Sequence, residues 1–455
     1  MSRRADGSLS RTTYAALAVR ARKLASVLRE LGVEAGDRVG TLAMNSDRHM
    51  ELYYAISGIG AVCNTINPRL SHDDIAYIAG HAEDHVIFCD PRFFPIVAAI
   101  AAKVDGLRAV VVLGEAGAMP QAALPAGVAL HCYETLMDGA DPIGQWPQFD
   151  ENTASGLCYT SGTTGRPKGV RRAPSTPEQQ AKGAAEVGKH WGLVNDPSIV
   201  VMMNGPMYHS APAAYGMQGA RLGLNVVLQP RFEAEDMLRL IDRHRVSHMH
   251  IVPTMFVRLL RLPAEVKAKY DLSSLRWITH GAAPCAPAVK RQMIDWWGPV
   301  INEYYGATET GIVVWHNAAE ALRKPGTVGR VVDGATMRIV DEQGHDVKQG
   351  EVGEIYLRGP LVSDFTYNND DAKRREVALG DLVTVGDVGY QDPDGYLYLC
   401  DRKRDMIITG AVNIYPAEIE SVLIQMPGVR DCAVFGIPDE EFGEQICAHI
   451  EPVSG

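Results

Sequence analysis

What most restricts the fold of this chain is the alternation of short apolar runs with segments of helical period. Residues 38–43, 86–89, 109–113, 156–160, 199–203, 225–228 and 248–251 are apolar runs of strand length. Stretches such as 13–31 lie between them, with Tyr14, Leu17, Leu24, Leu28 and Leu31 at helical spacing and Gly32 where a C-terminal cap belongs. Strands buried as continuous apolar runs, with helices between them, predict an α/β fold of layered, mainly parallel sheets covered on both faces.

After about residue 318 the pattern changes. Residues 328–332, 337–341, 353–358 and 396–399 read as strands separated by turn signals, Glu342-Gln343-Gly344 and Pro393-Asp394-Gly395 among them. This predicts a β-rich subdomain over about 318–400, completing a large N-terminal domain of residues 1–400. The charged run Asp401-Arg402-Lys403-Arg404-Asp405 then precedes a new unit, with strand 406–409, helix 416–426 and strands 431–436 and 446–450. A hinge at 401–404 and a small, mobile α+β C-terminal domain at 405–455 are expected.

Bulk properties narrow the function. At 455 residues the chain has room for about three domains. Its 46% hydrophobic and 22% charged residues are ordinary for a globular protein. No run reaches the ~18 uninterrupted apolar residues of a membrane span, and Met1-Ser2-Arg3-Arg4 leads into no secretory signal, so no integral membrane association and a cytoplasmic location are expected. A net charge of −11 argues against general nucleic-acid binding. The eight cysteines include no Cys-x-x-Cys pair and read as buried, reduced thiols.

The most informative segment is 159–170, where Thr160, Ser161, Gly162, Thr163, Thr164, Gly165 and Lys168 directly follow an apolar strand. Glycines let backbone N–H groups approach oxyanions, hydroxyls add adaptable donors, and Lys168 adds a point charge, a chemistry suited to polyphosphate. Lys168 is followed by Gly169 rather than Ser or Thr, so the grip is not a P-loop. A second cluster, Tyr304-Tyr305-Gly306-Ala307-Thr308-Glu309, follows the strand-like residues 299–302. It is expected on a loop at a strand's carboxyl end, where open α/β sheets bind ligands.

With these segments the chain resembles the adenylate-forming superfamily, which contains acyl- and aryl-CoA synthetases, beetle luciferases and peptide-synthetase adenylation domains. Further segments fall in the family's order: Pro206-Met207-Tyr208-His209, Gly281-Ala282-Ala283-Pro284, Gly386-Asp387 and Asp401-Arg402. The resemblance implies ATP, Mg²⁺ and coenzyme A as partners in an acid–CoA ligase reaction. It implies that Tyr305 stacks on adenine, with Gly281, Ala282 and Ala283 on the other face and Glu303, Tyr304 and Gly306 alongside. Thr308 would touch the α-phosphate, Glu309 hold Mg²⁺, Asp387 accept the ribose hydroxyls and Arg402 donate to sugar or phosphate. Lys168, Thr308, Glu309 and His209 are the catalytic candidates. His209 is read as a gate between the acyl pocket and pantetheine rather than as a general base, because a bound carboxylic acid is already ionised near neutral pH. Arg404 occupies the hinge position, and Gly410 and Ala411 match small residues lining the pantetheine tunnel.

Two departures stand out. The family's C-terminal domain carries a lysine used in adenylation, and the final residues Glu451-Pro452-Val453-Ser454-Gly455 contain none, so the expectation is an incomplete C-terminal domain. Arg171-Arg172 stands where many relatives have Ser/Thr-His; it reads as an exposed basic pair, with pyrophosphate or a CoA phosphate as the other reading.

The acyl pocket is expected from Tyr208, His209, Ala214, Tyr215, Phe256, His280, Ala307 and Val314. No Asp or Lys there pairs with an ammonium or a second carboxylate, and the segment 64–70 resembles bacterial fatty-acyl-CoA synthetases. A medium- or long-chain fatty acid is therefore expected, with aryl or alicyclic acids open. A homodimer is allowed. The alternatives are delivery of the acyl group to a carrier protein or other acceptor, and a catalytically weak ATP- or acyl-binding module.

Overall fold

The computed structural model describes residues 2–3, 9–150, 152–159, 167–173, 176–362, 364–368, 370–403, 405–409, 412–439 and 443–453. Its first helix, Tyr14–Glu30, begins where Thr13 accepts a hydrogen bond from the Ala16 N–H and buries Leu17, Leu24 and Leu28. Tyr14 stays exposed at the helix start.

The apolar runs assemble two sheets. The first has eight strands in the order Phe365–Tyr367, Gly169–Arg172, Gly156–Tyr159, Val62–Thr65, Arg38–Leu42, Val86–Cys89, Ala109–Val112 and Ala129–Cys132. From Gly156–Tyr159 onward its pairs are parallel. Val39, Ile87, Phe88, Val110 and Val111 are completely buried in this sheet. Each such side chain contributes about 1.5–3 kcal/mol by leaving water.

The second sheet has nine strands, running Arg330–Val331, Gly311–His316, Ile301–Ala307, Trp277–His280, His248–Ile251, Val200–Met203, Asn225–Leu228, Ser2–Arg3 and Leu9–Ser10. The parallel core predicted from the apolar runs is present in both sheets, but antiparallel strands are added at their edges, and these edges carry the site.

The local structure departs from the sequence pattern at three places. The run 328–332 shortens to Arg330–Val331, which pairs with Gly311–His316 in the second sheet, so that sheet takes it rather than the β-rich subdomain. The subdomain's strands are Thr336–Val340, Gly353–Arg358, Ala378–Leu379, Leu382–Gln391 and Leu397–Arg402. Between them Phe365–Tyr367 leaves to pair with Gly169–Arg172. Finally, residues 304–307 are not loop: the strand Ile301–Ala307 runs through them and turns back into Gly311–His316.

The C-terminal unit is a four-stranded sheet of Val412–Ile414, Ile407–Thr409, Gly443–Pro452 and Val429–Asp439 with the helix Pro416–Leu423, which stops short of residue 426. Arg261 ties it to the large domain, its guanidinium donating to the carbonyls of Arg430 and Val429 at 2.7 Å each.

Candidate active site

The phosphate-type segment is framed by an antiparallel hairpin. Tyr159 ends one strand and pairs with Gly169 at the start of the other. A Cβ on Gly169 would lie 3.1 Å from both Leu157 and the Tyr159 ring, so a larger residue would crowd the exit of the loop. Thr160, Ser161, Gly162, Thr163, Thr164 and Gly165 themselves lie outside the described residues, as do Arg404, Gly410 and Ala411. Lys168 is described, and its ammonium stands 5.3 Å from the centre of the Tyr367 ring. Burial, followed by the nearby Lys373, lowers its pKa.

The second hairpin brings in the turn Thr308-Glu309-Thr310. The register shifts between Tyr305 and Gly306, and a Cβ at Gly306 would come within 1.9 Å of the Gly311 carbonyl oxygen. Only glycine lets the two strands close here. The Ala307 N–H then donates to the Thr310 hydroxyl at 3.1 Å, fixing the turn.

Partners from elsewhere hold its functional groups. The Tyr367 hydroxyl donates to Glu309 Oε1 at 3.0 Å, Arg172 Nε donates to the Thr308 carbonyl at 2.8 Å, and the Ser210 and Thr308 hydroxyls are 3.1 Å apart. Burial raises the pKa of the Tyr367 hydroxyl, which therefore keeps its proton and remains a donor.

Across the site, the Tyr305 hydroxyl donates to Asp387 Oδ2 at 2.7 Å, and Arg402 Nε lies 3.6 Å from Asp387 Oδ1. Burial pushes the Asp387 carboxyl above its usual range, against the pull of Tyr305 and Arg402. Ala282 forms part of the wall with φ of 68°, a left-handed conformation rare for a residue with a Cβ and of the kind stored at ligand sites.

One cavity of about 1780 Å³ joins these groups. It collects Lys168, His209, Ala214, Ala282, Tyr304, Gly306, Ala307, Thr308, Glu309, Asp387 and Arg402. That exceeds the roughly 300–1,000 Å³ that serves one drug-sized ligand, leaving room for two reactants.

Several expected residues do not line it. Alternation along Ile301–Ala307 turns Tyr304 and Gly306 to the cavity and Glu303 and Tyr305 away. The Tyr305 ring instead packs with Val313, Val314, Ile355 and Leu357. Glu303 is buried beside Lys290, with His316 Nε2 at 2.7 Å. Gly281 sits beneath the wall, where a Cβ would meet Tyr304 at 2.8 Å, and Ala283 is exposed outside it.

Of the expected acyl-pocket residues, His209, Ala214 and Ala307 line the cavity, whereas Tyr208, Tyr215, Phe256, His280 and Val314 are core. Phe256 packs edge-on against His280, and the Tyr215 hydroxyl donates to the Trp191 carbonyl. Size and apolarity alone could not separate pocket residues from core.

Sequence reasoning missed Tyr367, whose register against Val170 is a long-range pairing with no local signal. It favoured an exposed basic pair at Arg171-Arg172 over a phosphate contact; Arg172 is exposed and also lines the cavity. His209, open to the cavity, has its pKa lowered by burial and then by Arg69, so its imidazole is neutral near pH 7.

A space for two small molecules, lined by cations, a carboxylate and an aspartate–arginine pair, fits a nucleotide-dependent enzyme of the adenylate-forming class. The chain belongs to the AMP-binding enzyme family: that family's model matches residues 3–364, and the model of the AMP-binding enzyme C-terminal domain matches 418–455. It is 34% identical to a 3-methylmercaptopropionyl-CoA ligase of Ruegeria lacuscaerulensis, over 97% of this chain and 82% of that protein. It is 33% identical to a long-chain-fatty-acid–CoA ligase of Thermus thermophilus, over 99% of this chain and 83% of that protein. Among solved structures, the anthranilate CoA ligase AuaEII in complex with anthranoyl-AMP superposes with a TM-score of 0.82 at 26% identity, covering 96% of this chain and 81% of that one. The chain is thus an AMP-forming acid–thiol ligase, with ATP and CoA as substrates, in a family for which Mg²⁺ is the typical metal.

The residues present fit Mg²⁺. Among the described residues no group of three His, Cys, Asp or Glu gathers to hold a metal unaided. Glu309 instead offers a single hard carboxylate beside the phosphate-type segment, and Mg²⁺ characteristically takes one or two protein carboxylates and completes its shell with water and substrate phosphates. No described helix is long and apolar enough to cross a membrane.

Proposed function

We propose that this chain activates a hydrophobic monocarboxylic acid, a medium- or long-chain fatty acid, with ATP bound between Lys168 and the pair Asp387–Arg402. The carboxylate oxygen bonds to the α-phosphorus as the bond to pyrophosphate breaks. The CoA thiol, losing its proton, then bonds to the acyl carbon as AMP leaves. Thr308 and Lys168 orient the phosphates, Glu309 holds Mg²⁺, and Asp387 with Arg402 holds the ribose. When bound, Mg²⁺ neutralises charge on the phosphates; the protein's work is otherwise positioning and electrostatic stabilisation.

The observation that carries this reading is the single cavity running from Asp387 past Thr308 to the wall formed by Val187, Trp191, Met207, Ala211, Ala214 and Leu222. These apolar and small side chains favour a hydrocarbon substituent, and Glu186, His190, Gln218 and Arg221 add a polar lining to the same cavity. A separate, apolar crevice of about 620 Å³ lies on the far side of Arg221, between Leu17, Tyr54, Trp146 and Phe149.

The experiment is acid-dependent pyrophosphate release across straight-chain acids of increasing length, 3-methylthiopropionate and arylacetates, with CoA thioesters identified by mass spectrometry. A maximum at medium or long chains is expected. A maximum at the short thioether or aryl acids would replace the substrate assignment, and adenylate formation without thioester would point to another acceptor.

A further inference from the structure

Arg172 is a cation in the cavity to which the reaction as written gives no task. It ends the strand Gly169–Arg172 and is held in register opposite Phe365. Its Nε donates to the backbone carbonyl of Thr308, which fixes the guanidinium plane and, among the described residues, engages one of its five N–H donors. It makes no ion pair with any described residue. The nearby Glu309 carboxylate already accepts from Tyr367.

Its neighbours locate it. Thr308, whose hydroxyl meets Ser210, lies on one side, and Cys158 of the adjacent strand lies close enough to interact electrostatically. Ser210 starts the helix Ser210–Arg221, which carries the acid-side wall residues Ala211 and Ala214. Arg172 therefore lines the cavity beside Thr308, next to the helix that carries the acid-side wall.

We propose that Arg172 binds the carboxylate of the acid substrate and orients it toward the α-phosphorus. The proposal rests on the acid-activating reading above. A guanidinium fixed through Nε keeps its terminal N–H groups for a carboxylate, in the forked geometry that suits that anion. No proton moves. One carboxylate oxygen rests on Arg172 while the other bonds to phosphorus and the bond to pyrophosphate breaks.

The test is calorimetric binding to the full chain, saturated with Mg²⁺ and α,β-methylene-ATP. The ligands are the acid that gives the fastest pyrophosphate release and its neutral carboxamide. Wild type is expected to bind the acid about tenfold more tightly than the carboxamide. In Arg172→Gln the acid falls to the carboxamide's affinity while the nucleotide affinity stays within about twofold. Arg172→Lys restores part of the acid preference, since a charge without the fork retains part of the interaction.

An acid preference that survives in Arg172→Gln overturns the proposal, as does a wild type that does not distinguish acid from amide. A loss of nucleotide affinity equal to the loss for the acid also overturns it, by showing that Arg172 only supports Thr308. The acid is chosen by activity, so an error in the chain-length assignment appears as a different acid in the panel and leaves this comparison intact.

Discussion

Glu303 and Glu309 belong to the same hairpin and have opposite fates. Glu303 points away from the cavity and is fully enclosed with Lys290, His316 and His280. Burial alone would raise its pKa; Lys290 first, then His280 and His316, overcome that and hold the carboxyl well below the usual range. Glu309 lies at the turn and lines the cavity, and among the described residues its one side-chain hydrogen bond is to Oε1, from Tyr367. One region spends its polar groups on each other and fixes where the hairpin lies; the other keeps donors and acceptors turned toward the cavity. The closed region supports the open one, because Tyr304, between Glu303 and the bulge, is pinned by His250 at 2.9 Å and forms part of the cavity wall.

The largest expected effect breaks the closed side. Glu303→Gln leaves Lys290 enclosed without its counter-charge, and losing one partner of a buried pair costs about 3–5 kcal/mol. Urea unfolding at pH 7 measures this. Because the folded pKa of Glu303 is depressed, its contribution is present above the unfolded carboxylate value of about 4.3 and is lost as pH falls through the lower folded value. The gap between wild type and variant should therefore narrow on strong acidification. A gap that stays constant would mean that shape, not charge, holds this region.

The next effect falls on the open side and should leave the fold alone. Glu309→Gln removes the proposed metal carboxylate. Acid-dependent pyrophosphate release should fall about 100- to 1,000-fold, the scale of losing one preorganised electrostatic group, with unfolding free energy changed by less than about 1 kcal/mol. If stability falls as far as in Glu303→Gln, the division between the two regions is wrong.

That division shows where sequence reading reached and where it stopped. The parallel core was legible because buried strands must be apolar runs, as at Val86–Cys89 and His248–Ile251. The phosphate segment and the residues Thr308, Glu309, Asp387 and Arg402 were legible as motifs, and the described ones meet in one cavity. What one sequence does not encode locally is direction. Glu303 was expected beside the nucleotide and Glu309 on its metal, until the alternation of Ile301–Ala307 turned Glu303 inward. Phe256, His280 and Tyr215 looked like pocket lining because an apolar wall and an apolar core use the same side chains. Tyr367 gave no signal, since its role depends on a strand crossing from the β-rich region to the first sheet.

A smaller effect sharpens the account of the open side. Tyr367→Phe keeps the ring beside Lys168 and removes only the hydroxyl that donates to Glu309. A hydrogen bond to a charged group contributes about 1.5–3 kcal/mol, so turnover at low Mg²⁺ should fall roughly tenfold or somewhat more. The Mg²⁺ concentration for half-maximal rate should rise, because Glu309 is then less well oriented. A lower rate with an unchanged Mg²⁺ requirement would assign Tyr367 to Lys168 rather than to Glu309.

The smallest effect is expected at His209, and it separates the cavity's histidine from those of the closed network. His280 is driven down to about 3 by burial, inside the protein and out of reach of any substrate. His209 has a free path to the cavity but is also held neutral, by burial and by Arg69. A neutral imidazole is able to accept a proton, yet the acid arrives as carboxylate near pH 7 and has none to give. His209→Asn should therefore change pyrophosphate release by less than about threefold and leave its pH profile between 6 and 8 unaltered, where loss of a general base would cost 100- to 10,000-fold. With His209 as the gate that the family resemblance implies, the variant should act on the second half-reaction, as a changed KM for CoA at a nearly constant adenylation rate.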